Sequence, residues 1–231
     1  MNNSAVINKK TDAITKWIFI VIQTVLFVLV FTTHNELHKV ASFGCVVNPF
    51  AYSLKFLSKD KIAIYTQIAL LTTVFADLFL VVITPQFKEV AMTFFAITQI
   101  CYALRLLQLT KHKAVNIVLR VVYIIAVIVV TFLVLKDKTD YLSVISMFYY
   151  ANLILNLVYA IAFIKKSPLF AIGLLLFLLC DTIIGLDVAS GTYLNIQSQF
   201  IQNILDLPFN LAWVFYVPSQ ALLALSLHKT K

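Results

Sequence analysis

Eight predominantly apolar runs, near residues 17–33, 40–57, 62–83, 89–109, 114–135, 141–164, 168–187 and 207–227, are joined by short polar connectors. Each approaches or exceeds the roughly 20 residues a helix needs to cross a hydrocarbon core. A single segment crosses lipid only by bonding its own backbone, so every run reads as a helix. The second, with Gly44, Asn48 and Pro49, is the least regular. Apolar residues make up 61% of the chain and charged ones 12%, with a mean hydropathy of +0.95. Soluble domains have about half and a quarter, and none could bury this much. The expectation is an all-α, polytopic transmembrane bundle forming one integral membrane domain over residues 1–231.

Every second connector is basic. The N-terminal tail carries Lys9, Lys10 and Lys16 against Asp12, a net +2, whereas Glu36 and Lys39 cancel in the stretch 34–39. Lys55, Lys59 and Lys61 outweigh Asp60, and Lys88 then cancels Glu89. Lys111 and Lys113 restore the surplus, Asp137 and Asp140 offset Lys136 and Lys138, and Lys165 and Lys166 restore it again. Asp187 and Asp206 stand in the last connector without a base, and the tail ends on Lys229 and Lys231. Basic residues near span ends stay on the cytoplasmic side, so the pattern predicts eight spans with both termini inside. The first run is longer than a signal-peptide core and lacks a small-residue cleavage site, so it reads as a retained helix. Short connectors and the absence of organelle signals point to a bacterial inner (cytoplasmic) membrane.

The net charge of +8 is distributed in pairs at span ends rather than on one face, which argues against nucleic acid as a partner. Membrane lipids with anionic headgroups are the expected partners, and no oligomeric state is legible. Cys45, Cys101 and Cys180 all fall inside spans, indicating buried thiols rather than disulfides or a zinc site. His34, His38, His112 and His228 lie in connectors or the tail, so neither a membrane-embedded metal nor a cofactor is expected. No lysine occupies the middle of a late span, which argues against a retinal Schiff base.

Two acids sit where lipid should exclude them. Asp77 is the sixteenth residue of the third run and Asp181 the fourteenth of the seventh. Both runs have the same predicted direction, which places the carboxyls at similar depth in the outer half of the bilayer. An intramembrane carboxylate is by default a functional candidate. The run after each Asp carries a related motif, Phe95-Ala96-Ile97-Thr98-Gln99 and Tyr216-Val217-Pro218-Ser219-Gln220, with the aromatic and the amide one helical turn apart. Two halves of four spans would make a parallel repeat with Asp77 and Asp181 across a shared cavity. Gln99, Tyr102 and Arg105 form one stripe, with Arg105 placed to snorkel toward the cytoplasmic side. Asn152 and Asn156 stand one turn apart beside Tyr149 and Tyr150, a spacing suited to joining helices by hydrogen bonds. Trp17, Tyr141, Tyr193 and Trp213 read as interfacial belt residues.

These residues resemble the YhhN/TMEM86 family, whose characterised members are lysoplasmalogenases with eight predicted spans. Gly173-Leu-Leu-Leu-Phe177-Leu-Leu-Cys180-Asp181-Thr182 is similar to the family's G-x-L-L-F-x-x-S-D-T, with Cys180 for Ser. Ala76-Asp77 stands for Gly-Asp, and Phe95, Gln99 and Tyr102 match F-x-x-x-H-x-x-Y with Gln for His. Tyr216, Gln220, Leu222 and Ser226 match Y-x-x-x-Q-x-L-I-x-x-S. Lys39 occupies the place of the family's lysine opening the second span, followed by Val40 instead of Pro, while Tyr149 and Ala160 fit the sixth-span pattern, with Asn156 for Met.

The resemblance implies hydrolysis of a lysophospholipid vinyl ether. Protonating the alkene carbon creates an oxocarbenium-like centre that water attacks, and two carboxyls can divide that work as they do in glycosidases. Asp77 and Asp181 are the candidate catalytic pair. Gln99, Tyr102, Tyr149, Asn156, Tyr216 and Gln220 are candidates to line the substrate site, with Lys39 or Arg105 holding the phosphate. Two alternatives remain open at this level. One is a proton- or cation-coupled transporter using the same carboxyls, supported by the repeat and by Pro218 within a span. The other is a non-catalytic lipid-binding protein.

Overall fold

The computed structural model describes residues 3–56, 60–83, 85–190, 199–205, 207 and 209–227. Lys59, Tyr193, Asp206, His228, Lys229 and Lys231, which carry parts of the charge and belt readings, lie outside the described residues, as do the side chains of Lys9 and Lys10. Among the described residues the chain is all-helical, without a strand.

The helices follow the apolar runs closely. They are α1 (Asn3–Thr32), α2 (Asn35–Ser53), α3 (Lys61–Asp77), α4 (Lys88–Leu107), α5 (Lys113–Leu135), α6 (Tyr141–Ala162), α7 (Pro168–Val188), α8 (Gln199–Leu205) and α9 (Leu211–Leu225). Starts are written locally. Asp60 accepts from Ile62 N at 3.1 Å, Asp140 and Ser143 form a reciprocal capping box, and Pro168 opens α7. Among the described residues six helices, α1 and α3 to α7, are long and apolar enough to cross a membrane.

Three boundaries differ from the sequence expectation. The basic N-terminal tail continues α1 back to Asn3, because nothing in it breaks a helix. The stretch 34–39 is mostly the first turn of α2, so Glu36, His38 and Lys39 are helical. The run 207–227 yields α9, whose cap is Asn210 accepting from Ala212 N at 3.0 Å. With 15 residues, α9 extends roughly 22 Å, short of the roughly 30 Å hydrocarbon layer. Both α2 and α9 contain an internal proline, Pro49 and Pro218, and both are packed into the bundle.

The most extensive pairings are α3 with α4 and α7 with α9. Gly173 permits the latter, since a β-carbon there would meet Leu223 Cγ at 2.9 Å and Leu223 N at 3.3 Å. Peripheral α5 is inverted relative to a soluble helix: Val118, Leu119, Val122 and Leu133 face outward, while its buried residues are Asn116, Arg120 and Thr131. That is the arrangement expected when the solvent is lipid. Asn48 fastens α2 to α1 in the same polar-inward sense, donating to Gln23 Oε1 at 2.8 Å, and Gln23 donates to Cys45 O at 2.9 Å.

Candidate functional site

Asp77 is the last α-helical residue of α3, and the chain then winds into a π-helical stretch, Leu78–Ile83. Such segments are rare and often accompany functional sites. The Tyr216 hydroxyl of α9 donates to Asp77 Oδ2, and the Tyr149 hydroxyl of α6 donates to Asp181 Oδ2. Asp77 is buried and Asp181 half-buried. Both tyrosine rings rest against Phe177, with centroids at 5.6 Å for Tyr216 and 6.4 Å for Tyr149. Phe95 completes the cluster, 5.7 Å from Tyr149 and 6.2 Å from Phe177. The two carboxyls are linked through their tyrosines to one ring, Phe177, and buried Cys180 directly precedes Asp181 in α7.

One turn deeper comes a layer of buried amides and hydroxyls. Asn156 Nδ2 donates to Gln99 O at 2.8 Å and to Gln99 Oε1 at 2.9 Å, leaving Gln99 Nε2 without a protein partner. Neither end of the Gln220 carboxamide has a partner, nor has the Ser219 hydroxyl on the same helix or the Tyr102 hydroxyl below Gln99. All four side chains are fully buried. Buried polar groups are nearly always satisfied, so this concentration marks a place suited to water or a polar ligand group.

Deeper still, Arg105 closes the column. Its Nη1 donates to Thr66 Oγ1 at 2.9 Å and Ser226 Oγ at 2.8 Å, its Nη2 to Ser167 Oγ at 3.1 Å, and its guanidinium stacks 3.8 Å over Phe170. These contacts pin α4 to α3, α7 and α9. Arg105 therefore does not snorkel; at 2% exposure it is a clamp between helices. Lys39 lies apart from the column, exposed at the start of α2 and paired with Glu36 at 2.8 Å.

The fold thus gathers Asp77, Asp181, Gln99, Tyr102, Tyr149, Asn156, Tyr216 and Gln220 into one column running from a carboxylate end to an arginine end. Sequence reasoning missed Arg120. Its Nη1 donates to Asn152 Oδ1 at 3.0 Å and its Nη2 to Asn156 Oδ1 at 2.9 Å. The signal was available, because a base seven residues into an otherwise apolar span is as conspicuous as an acid. A cleft of about 470 Å³ opens at the carboxylate end between α7, α8 and α9, lined among others by Ile183, Asp187, Leu205, Phe209 and Ala212. Neither Asp77 nor Asp181 lines it, although Ile183 follows Asp181 by two residues.

The model of the YhhN family matches residues 15–227, nearly the whole chain. The chain belongs to the YhhN family. No curated protein and no solved structure matches it. In this YhhN protein the seventh-helix motif divides its labour visibly. Gly173 admits α9, Phe177 centres the ring cluster, Asp181 takes the Tyr149 proton donor, and Thr182 lies 2.8 Å from the Tyr150 hydroxyl.

Proposed function

We propose that this YhhN-family protein is an integral membrane hydrolase that cleaves the vinyl ether of lysoplasmalogen-type lysophospholipids and releases a fatty aldehyde. The observation that carries this reading is the pair of carboxyls, each held by a tyrosine hydroxyl, around one buried aromatic cluster. One carboxyl, protonated, delivers its proton to the alkene carbon, and the adjoining carbon becomes oxocarbenium-like. The other, ionised, takes a proton from the water that attacks that carbon. As the hemiacetal collapses, the second carboxyl passes its proton to the departing glycerol oxygen and the first takes the hemiacetal hydroxyl's proton, so the C–O bond breaks to give aldehyde and glycerol hydroxyl, one water is consumed and both carboxyls return to their starting states. Gln99, Tyr102, Asn156 and Gln220 orient the water and the ether oxygen, and Phe95 and Phe177 wall off bulk solvent.

The proposed topology has eight spans with both termini cytoplasmic, in a bacterial inner membrane, with α2 and α9 as the short members. The matching α3–α4 and α7–α9 pairings suit a parallel repeat of four and four. In that orientation the carboxylate end faces outward, where exposed Lys39 meets the lipid phosphate, whereas Arg105 is already engaged by hydroxyls. The continuous polar column from the carboxyls to Arg105 favours a second reading, a proton- or cation-coupled transporter. The deciding experiment incubates purified protein with a lysoplasmenylethanolamine in detergent. Aldehyde release by wild type, reduced about 10³-fold in Asp77→Asn and Asp181→Asn, supports the hydrolase. Activity retained in both variants overturns the two-carboxyl mechanism, and gradient-dependent uptake in liposomes without aldehyde supports the transporter.

A further inference from the structure

A second recess opens at the carboxylate end, where the last turn of α1 meets the first turns of α2 and α9. Its volume is about 170 Å³, and its walls include Phe31, His34, His38, Phe209, Asn210 and Trp213. All but Asn210 are aromatic rings, and they stand steeply inclined in pairs. His38 and Trp213 have centroids 6.3 Å apart at 88°, and Phe31 and Phe209 6.4 Å apart at 75°. Rings boxed in this way hold an alkylated ammonium by its charge against their faces. The volume equals the share of roughly six waters, of the order of one trimethylammonium group.

The polar groups of the walls are largely spent. A carbonyl only accepts, so the 3.0 Å contact of His38 Nδ1 with Val30 O puts the hydrogen on Nδ1 and leaves Nε2 of a neutral ring to accept from Ser42 Oγ, 3.4 Å away. Asn210 Oδ1 accepts from Ala212 N at 3.0 Å, and Thr33 Oγ1 donates to Leu29 O at 2.6 Å. Among the described residues no Asp, Glu, Lys or Arg lines the recess. A primary ammonium brings three donors that need acceptors, and a phosphate calls for cationic partners; the walls supply neither. A trimethylammonium carries charge without a donor, and rings alone satisfy it. The recess also adjoins the carboxyl centre: Trp213 lies 5.6 Å from Tyr216, whose hydroxyl donates to Asp77. Phe209 and Asn210 line the larger cleft as well, and Asp187 in that cleft draws cations to this end. The neighbouring helix surface exposes Val28, Leu37 and Val40, which suits a lipid rather than a free cation as the source.

We propose that this recess is a headgroup subsite, an aromatic cage built by Phe31, Phe209 and Trp213 for the trimethylammonium of a choline lysophospholipid. That the lipid is also the substrate rests on the reading under Proposed function; the cage rests on the rings. The phosphate then falls near the start of α2, where Lys39 follows His38.

The test uses full-length protein in maltoside detergent and three saturated alkyl-ether lysophospholipids that differ only in headgroup: choline, ethanolamine, and 3,3-dimethylbutyl, in which carbon replaces the cationic nitrogen. Affinities are read by displacement of the radiolabelled choline lipid. In a Trp17→Phe background, which leaves Trp213 as the sole indole, its emission should change saturably with the choline lipid. The choline lipid is expected to bind about tenfold more tightly than either of the others. Trp213→Leu should bring the choline to dimethylbutyl ratio near one, and Phe209→Leu should reduce it about threefold. Dimethylbutyl or ethanolamine lipid binding as tightly as choline lipid overturns the cage. If Trp213→Leu does not fold, exposed Phe209 decides, and an unchanged ratio in Phe209→Leu overturns the cage equally. Free choline competing with the affinity of the lipid overturns the lipid assignment. Choline preference without aldehyde from a vinyl-ether lysophosphocholine leaves the cage standing and removes the hydrolase. Aldehyde released with equal kcat/KM from choline and ethanolamine vinyl ethers leaves the hydrolase and overturns the cage.

Discussion

The two ends of the buried column solve the same problem in opposite ways. At the arginine end a full charge is taken out of solvent and bonded by Thr66, Ser167 and Ser226, hydroxyls from three other parts of the chain. In the middle, and toward the carboxylate end, less costly neutral groups on Gln99, Tyr102, Ser219 and Gln220 are left without protein partners. Satisfied polar groups hold helices together; unsatisfied ones at comparable burial mark where something else is to be accommodated. The difference separates a clamp from a site, although α4 contributes to both, Arg105 to the first and Gln99 and Tyr102 to the second.

The comparison is broken most severely at the carboxyls. Asp77→Asn or Asp181→Asn should lower aldehyde release by about 10³-fold while leaving the circular dichroism melting temperature near that of wild type; a melting change as large as the activity change would make the carboxyls part of the clamp. Arg105→Met should do the reverse. It removes the donor shared by three hydroxyls, of which Thr66 and Ser226 keep their own bonds to Ile62 O and Leu223 O, and a loss of about 2–3 kcal/mol in stability is expected from the lost clamp, seen as a lower melting temperature in detergent. A variant that melts like wild type but no longer turns over substrate would move Arg105 into the site.

Smaller changes sharpen the boundary. Tyr149→Phe and Tyr216→Phe each remove one hydroxyl from a carboxyl without emptying the ring cluster, so activity should fall about tenfold with the fold intact. Equal activity in either would show that the hydroxyl only packs. Lys39→Ala, at an exposed position paired only with Glu36, should raise KM about threefold with kcat unchanged; a lower kcat would bring α2 into the chemistry.

Much of the architecture was legible because lipid imposes one-dimensional rules: runs long enough to span, and a full set of internal backbone bonds. The helices α3 to α7 lie within a few residues of their runs. Asp77 and Asp181 stood out for the same reason, as charges in hydrocarbon. The start of the last helix was less visible, since Asn210 caps α9 inside a run that hydropathy begins at residue 207, and α8 falls in the connector before it. Arg105 and Arg120 are both buried, against the outward reach that span-end bases suggest, and the groups that hold them inward lie on other helices and leave no mark in the local sequence.

The sequence alone determined that this chain is a helical membrane protein with two carboxyls, an amide stripe and a YhhN pattern, because hydropathy and residue type act locally. Only the tertiary structure decided which polar groups pair. Tyr216 reaches Asp77 across 139 residues, and Tyr149 reaches Asp181 across 32. Such bonds depend on which helix faces which, and that is set by the close approach at Gly173 and by the inward turn of polar faces away from lipid.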